Sequence, residues 1–399
     1  ERAQLICQLG PYVYDPQFWQ TTSGAPLPLA SKRIVTSIFQ MREPALRFGA
    51  AYRDEIVKAA NVTTFLHANL LSFEADSSAR SVKRARVGSL DGPRFSVTGK
   101  MFILAAGAIE NARLLLLSND RNPDGLGNQN GLVGRFFMSH ALCKPGLFLP
   151  SDPLIPATLY QYDKPAVGTL RIVGHLTLSP ETQRQNRLLN FNASLKFPVP
   201  VASTGLLSAK RLVNREFDTL AKDLRNIIAD MDGVAAAAYW KVRTGMIPVE
   251  AYSLTCAIEQ SPNRDSRVSL SSDRDAFGQR RVRLDWRLTA VDKNTLRRSL
   301  EILGAELGRA ALGRLKIGLE KGENAWPELV QDGGHHIGTT RMHVDPKQGV
   351  VDGHCRVHGI SNLFVAGSSV FPTSGHANPT LTIVALALRL AADVRRQMA

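Results

Sequence analysis

Two adjacent histidines, His335 and His336, stand between glycines in the segment GGHHIGTTRM, which has neither helical nor strand periodicity. A single histidine is commonly a satisfied core residue; a pair framed by glycines in an aperiodic bend points to chemistry. An imidazole titrates near neutral pH, so a neutral ring there suits a general base that takes a proton from a hydroxyl. Farther on, Asn378 and Pro379 precede the apolar run TLTIVALALRLA. Asn is a favoured N-cap and Pro is favoured at the first helical position, so a helix is expected to start here. With Leu381, Ile383, Val384, Leu386, Leu388 and Leu390 spread around it, that helix is expected to be buried, its positive dipole end inside the protein. Two roles are open for Asn378: capping the helix, or turning its amide toward a bound oxygen.

The remaining candidates are weaker. His354, Cys355 and His358, with His343 nearby, suggest a metal site. On a strand, however, His354 and His358 face one side and Cys355 the other. Two ligands are an incomplete set, so a solvated strand edge is expected and a zinc hydrolase ranks far behind. SSDRDAFG resembles the start of a calcium loop, but the twelfth position from Asp273 is Leu284, which cannot ligate; a hairpin turn is expected. No metal is expected.

Several elements are expected to hold the reacting groups. The apolar run 363–366 predicts a strand ending at Gly367. The run 101–105 predicts a strand buried on both faces, followed by small residues at 106–108 and a helix over 109–118. Strands over 62–73, 82–87 and 95–98 read as an antiparallel meander after a helical pattern over 44–60. GLGNQNGLVGRFF, residues 125–137, reads as a surface connection, because its glycine spacing and context do not match a dinucleotide loop. No GxGxxG follows a strand anywhere in the sequence. Strand-like segments at 168–178, 188–197, 252–258, 267–270 and in RVRLDWRL, with helical segments at 206–230 and 292–312, predict an antiparallel sheet backed by helices.

The 399 residues suffice for two domains with cores of their own. The formal charge of +14 comes with no aromatic residues interleaved among the basic clusters, so a solvated basic face is expected and nucleic acid is not. Four scattered cysteines form no disulfide framework or CxxC pair. No apolar stretch is long enough to span a bilayer. The first residues, ERAQLICQLG, contain neither a signal peptide nor an initiator Met, which leads to the expectation that the sequence starts inside a longer protein.

Three blocks, FILAAGAIENARLLLLS, GLVGRFFMSH, and HHIGTTRM through NLFVAGSSVFPT to HANPTLTIVALALRLA, resemble glucose-methanol-choline (GMC) flavin oxidoreductases. The form is close to pyranose oxidases and bacterial sugar or polyol dehydrogenases. The resemblance implies an α/β FAD-binding domain in two pieces, 1–140 and 326–399, around an α+β substrate domain with an antiparallel sheet at 141–325. It implies FAD as cofactor and a small-molecule alcohol or sugar as substrate. His335 falls at the position of the catalytic base and Asn378 at that of the second catalytic residue, with hydride passing from carbon to flavin N5. Ala366 and Gly367 match the strand end that approaches the flavin diphosphate and ribityl chain, and Pro379 and Thr380 match backbone contacts to the flavin ring. Ala105, Ala106 and Gly107 match a contact near the adenosine half, and Leu70 a strand residue whose backbone meets adenine. His336 and His376 are expected to line the substrate pocket. The family's opening GxGxxG unit has no counterpart, so the FAD-binding domain is expected to be incomplete. A redox partner or a missing N-terminal portion is implied; the alternative is a non-catalytic or split-protein subunit that keeps the C-terminal fold.

Overall fold

The computed structural model describes residues 1–161, 168–200, 204–244, 248–319 and 330–399. The expected domain boundary at 325/326 lies outside the described residues. One large sheet runs in the order Ile34–Arg42, Leu170–Leu178, Phe191–Pro200, Val249–Ile258, Ala141–Pro150, Gly313–Ile317, with Gln331–Asp332 also paired to Ala141–Pro150. All of its ladders are antiparallel. The helix Ala290–Arg309 packs against it, opened by a reciprocal cap between Thr289 and Asp292. Phe148, Phe191, Leu254, Leu300 and Leu303 bury their side chains between sheet and helix. An antiparallel sheet with helical backing is therefore present, and it recruits residues 34–42 from the amino-terminal region, but the expected strands at 267–270 and in RVRLDWRL are not in it: Arg267–Arg274 and Arg280–Asp285 pair only with each other and pack on the helix Ala108–Leu117.

A second body surrounds a short parallel pair, Phe102–Leu104 beside Leu363–Val365, in the register Leu363 to Phe102 and Val365 to Leu104. The helix Ala108–Leu117 follows the first of these strands. It packs on the meander Asn69–Ala75, Val82–Gly88 and Arg94–Val97. Phe73, Phe102, Leu115, Phe137, Ile337 and Phe364 share this second buried cluster.

Several expectations need correction. Residues 44–60 form two short helices, Phe48–Ala51 and Arg53–Lys58, interrupted at Tyr52, whose backbone leaves the helical region. The first meander strand begins at Asn69, after His67 takes a positive φ of 56°. The segment 125–137 is no surface connection, since Leu126, Leu132, Val133 and Phe137 all point into the core. Ile103, expected to be covered on both faces, is 49% exposed. The carboxy-terminal helix, Thr380–Met398, buries only Leu390 and Asp393, because only one of its faces meets this chain. The expected helix at 206–230 is two, Thr204–Val213 and Leu220–Ala229, with Arg215 at a φ of 62° in the turn between them. A third helix, Met231–Thr244, follows.

Candidate active site

His335 owes its place to a short antiparallel bridge. Met138 and Ile337 exchange backbone hydrogen bonds at 2.9 Å in both directions. Two residues on from Met138 and two back from Ile337, His140 and His335 come opposite each other on the same side. Their Nδ1 atoms lie 2.9 Å apart. His140 is buried at 1% exposure, and its Nε2 lies 3.2 Å from the Ser374 carbonyl oxygen. Burial, reinforced by His140, holds the His335 pKa below the usual histidine value against the pull of Asp332. Burial likewise lowers His140, opposed by the Ser374 carbonyl, Glu259 and Asp332. Both rings are therefore neutral at ordinary pH.

The support around this pair comes from the end of strand Val249–Ile258. Gln260, fully buried, accepts from the Ser139 N–H at 3.0 Å and from the Trp286 indole N–H at 2.8 Å, and its amide donates to the carbonyls of Phe137 and Arg287. Its backbone N–H donates to the Ser374 hydroxyl. One residue thus fixes both neighbours of His140, the chain that carries it and the loop that accepts from it. Glu259 accepts from the Gly375 N–H at 3.0 Å and from the Asn190 amide.

His336 turns the other way. Its Nε2 lies 3.0 Å from Asp332 Oδ2, and its ring is 5.4 Å from that of Phe137. Asp332 also accepts from the Ser139 hydroxyl and from the Gly334 N–H; together these bonds outweigh burial and keep its carboxyl below the usual range. His376 is half-buried, with its ring 6.0 Å from Phe39 and its carbonyl accepting from Asn192 at 2.9 Å.

The parallel pair sets a second group of residues side by side. The Ala366 N–H donates to Leu104 at 2.8 Å, which aligns the strand ends. Asn111 then clamps them: its Oδ1 accepts from the Ala106 N–H at 2.8 Å, and its amide donates to the Ala366 carbonyl at 3.1 Å and to the Ser369 hydroxyl at 2.9 Å. Gly107 and Gly367 take φ values of 87° and 112°, open to glycine and strained for other residues. A Cβ added at either would meet nothing within 4 Å. The backbone there is bare enough for an extended ligand to lie against it, as a flavin dinucleotide would require. Two bonds join this corner to the histidine bend: the Ser368 hydroxyl donates to the His336 carbonyl at 2.6 Å, and the Gly338 N–H donates to the Ser368 carbonyl at 3.2 Å.

Asn378 does not cap the helix. The helix starts at Thr380, Pro379 occupies the cap position, and no side chain caps it; the Pro379 carbonyl accepts the first helical bond, from Ile383. Pro379 fixes its own φ near the helical value, so the turn closes without help from the asparagine. Asn378 is exposed instead. With Ala377 and Thr380 it lines one side of a cleft of about 530 Å³ whose other walls include Tyr12, Phe39, Met41 and Phe48. Leu70 belongs to a different sheet, half-buried on Asn69–Ala75 and paired with Val87.

The expected shared strand face of His354 and His358 does not form. The segment is a turn with Cys355 at a φ of 64°; His354 faces Asp393 at 3.0 Å, while His358 lies against the His343 carbonyl. The expected hairpin at Asp273 does form, between Arg267–Arg274 and Arg280–Asp285. Sequence reasoning missed His140, Gln260 and Asn111. His140 ends the quoted block GLVGRFFMSH and Asn111 lies within FILAAGAIENARLLLLS, whereas nothing in the sequence around Gln260 marks a buried amide.

A family model described as GMC oxidoreductase matches residues 262–387. The chain is 27% identical over 330 residues to 6'''-hydroxyparomomycin C oxidase of Streptomyces lividus, covering 80% of this chain and 50% of that protein. It is 29% identical over 302 residues to the fructose dehydrogenase large subunit of Gluconobacter japonicus, covering 74% and 47%. The chain spans about half the length of the curated relatives it matches. Among solved structures, pyridoxine 4-oxidase from Mesorbium loti superimposes with a TM-score of 0.56 at 17% identity, covering 91% of this chain and 64% of that one, a likeness of fold.

Proposed function

We propose, from the premise that this chain belongs to the GMC oxidoreductases through its carboxy-terminal part, that it carries the reacting groups of an FAD-dependent enzyme oxidising a CH–OH group of a sugar, polyol or other alcohol. The observation that carries this reading is the pair of bonds through Ser368. They hold the bend bearing His335 against the bare strand end at Ala366 and Gly367. A neutral base and an open cofactor corner are thereby built into one unit.

FAD, when bound, supplies the acceptor for the hydride that leaves the substrate carbon. His335 would take the hydroxyl proton onto its imidazole as the CH–OH becomes a carbonyl. The Asn378 amide, not used by the helix cap, is available to donate to the same substrate oxygen. Ala366, Gly367, Pro379 and Thr380 would hold the flavin half of the cofactor, and Ala105, Ala106, Gly107 and Leu70 its adenosine half. The aromatic walls of the cleft, Tyr12, Phe39 and Phe48, suit the apolar face of a sugar ring, with His376 against Phe39, whereas His336 faces Asp332 and does not line that cleft.

The test is His335→Ala in the full-length flavoprotein. Flavin reduction by substrate should fall at least about 100-fold, the scale of a lost general base, with the bound flavin spectrum retained. Reduction at the parental rate would remove His335 from the mechanism. A second reading, a partner subunit without a reaction of its own, draws on apolar surface this chain leaves open at Ile103, Phe65 and Leu66. Turnover by a flavoprotein containing this chain, abolished by His335→Ala, would exclude it.

A further inference from the structure

We propose that His140 is a positioning residue that fixes the tautomer of His335, so that His335 Nε2 carries the lone pair and Nδ1 the proton. The argument follows from which atoms can donate. The Ser374 carbonyl oxygen has no hydrogen to give, so His140 Nε2, at 3.2 Å, must be the donor. A neutral imidazole holds one N–H, which leaves His140 Nδ1 as a bare acceptor. His335 Nδ1 lies 2.9 Å from it and must then donate. The lone pair of His335 is left on Nε2, the nitrogen not engaged by His140.

The geometry is over-determined by its surroundings. His140 is 1% exposed, so water cannot substitute for either bond. Gln260 holds Ser139 through its side chain and Ser374 through its backbone, and so sets the distance that forces His140 to donate. The titratable groups around the pair are Asp332 and His336 near His335, and Glu259, Asp332 and His376 near His140. The two acids favour a charge on the rings and the other histidines oppose it, while burial keeps both neutral until a proton arrives. When His335 Nε2 takes a proton, its Nδ1–H already points at His140, and the bond becomes charge-assisted without any rotation. His140 thus prepares the base before reaction and stabilises the imidazolium afterwards.

This inference rests on the reading of His335 as the base, yet its first test does not depend on that reading. Nitrogen-15 magic-angle-spinning NMR of the histidine-labelled full-length protein separates protonated from bare ring nitrogens. The His335 signals are identified by their loss in His335→Ala. The expected spectrum has His335 protonated at Nδ1 and bare at Nε2. His140→Phe, which can neither donate nor accept, should move the proton of His335 to Nε2 or divide it between the two. His140→Gln keeps one acceptor and one donor and should restore the Nδ1–H form. The second test is flavin reduction by substrate: His140→Phe should slow it by about 10- to 100-fold, the scale for partners that orient a reacting ligand, with substrate KM little changed and His140→Gln recovering most of the loss. A wild-type His335 protonated at Nε2, or a tautomer unaffected by His140→Phe, overturns the proposal. If the tautomer is as expected but His335→Ala still reduces flavin at the parental rate, the base assignment fails and the tautomer relay stands alone.

Discussion

The large antiparallel sheet and the short parallel pair solve the same problem in opposite ways. In the first, Phe148, Phe191, Leu254 and Ile258 are all essentially inaccessible, and the helix Ala290–Arg309 closes one face. In the second, Phe364 is buried while its register partner Ile103 is 49% exposed, and both strands end in glycine turns with empty space beside them. The first sheet is covered by its helix, whereas the second leaves backbone bare at both strand ends. The covered sheet nonetheless supplies the supports of the open corner. Glu259 and Gln260 leave the end of one of its strands to hold the loop 374–375 and the chain before His140. Rigidity is built in one region and used in the other.

That dependence can be broken at Gln260. Gln260→Leu keeps the volume but leaves the Ser139 N–H and the Trp286 indole N–H without their acceptor. At about 1–3 kcal/mol for each buried group left unsatisfied, the cost should be roughly 2–5 kcal/mol in denaturant unfolding. Flavin reduction should suffer as well, because His140 loses the frame that fixes it. If stability falls while the His335 tautomer and the reduction rate stay unchanged, the large sheet does not govern the site, and the comparison loses its central link.

Legibility in the sequence followed the same division. Three strands of the large sheet, at 170–178, 191–200 and 249–258, and the helix at 292–312 were legible as apolar segments, whereas the strands at 34–42, 141–150 and 313–317 were not, and the strictly alternating RVRLDWRL belongs to a separate hairpin. His335, Ala105–Gly107 and Gly367 were legible as types in a glycine-rich setting. What pairs with them was not. His140 stands 195 residues from His335, and the bridge between Met138 and Ile337, together with the pairing of Gln331–Asp332 to the strand that follows His140, brings the two together. Gln260 and Asn111 are ordinary amides whose importance lies wholly in burial. Two readings failed for local reasons. Pro379 relieved Asn378 of its capping duty, and Cys355 in a left-handed turn removed the strand on which His354 and His358 were to share a face. The apolar pattern of the last helix promised burial that its neighbours in this chain do not provide.

A pH titration separates the two regions further, because the large sheet contains a buried histidine and the open corner a half-buried one. His175, inside the large sheet and bonded to Asn192 at 2.9 Å, is pushed by burial to about 3. His335, at the open corner, is lowered for the same reason. Each folded-state pKa lies below the unfolded value near 6.5, so the unfolded chain binds more protons and stability rises with pH across that window. The His175 contribution to stability is fully present above about pH 6.5 and is lost as pH falls toward 3, at no more than about 1.4 kcal/mol per pH unit, and that of His335 changes in the same direction. His175→Gln should flatten that loss, read as denaturation midpoint against pH. If His335 is the base, as proposed, flavin reduction should instead keep an acid limb on the acid side of the usual histidine range. An acid limb that moves with His175→Gln would mean the two histidines titrate as one system.

The smallest effect expected is at the open edge. Ile103→Ser removes an apolar side chain that is already about half in water, against roughly 1.5–3 kcal/mol for full burial of such a residue. For this chain the cost should therefore be about 1 kcal/mol, read by thermal or denaturant unfolding. The same substitution in any longer polypeptide that contains this chain discriminates what covers that edge. A loss that stays near 1 kcal/mol means the edge remains solvated there too, and the parallel pair stands as an open rim. A loss of several kcal/mol means that further polypeptide packs on Ile103, so the openness of the pair belongs to this chain alone and the contrast with the antiparallel sheet narrows to the glycine turns.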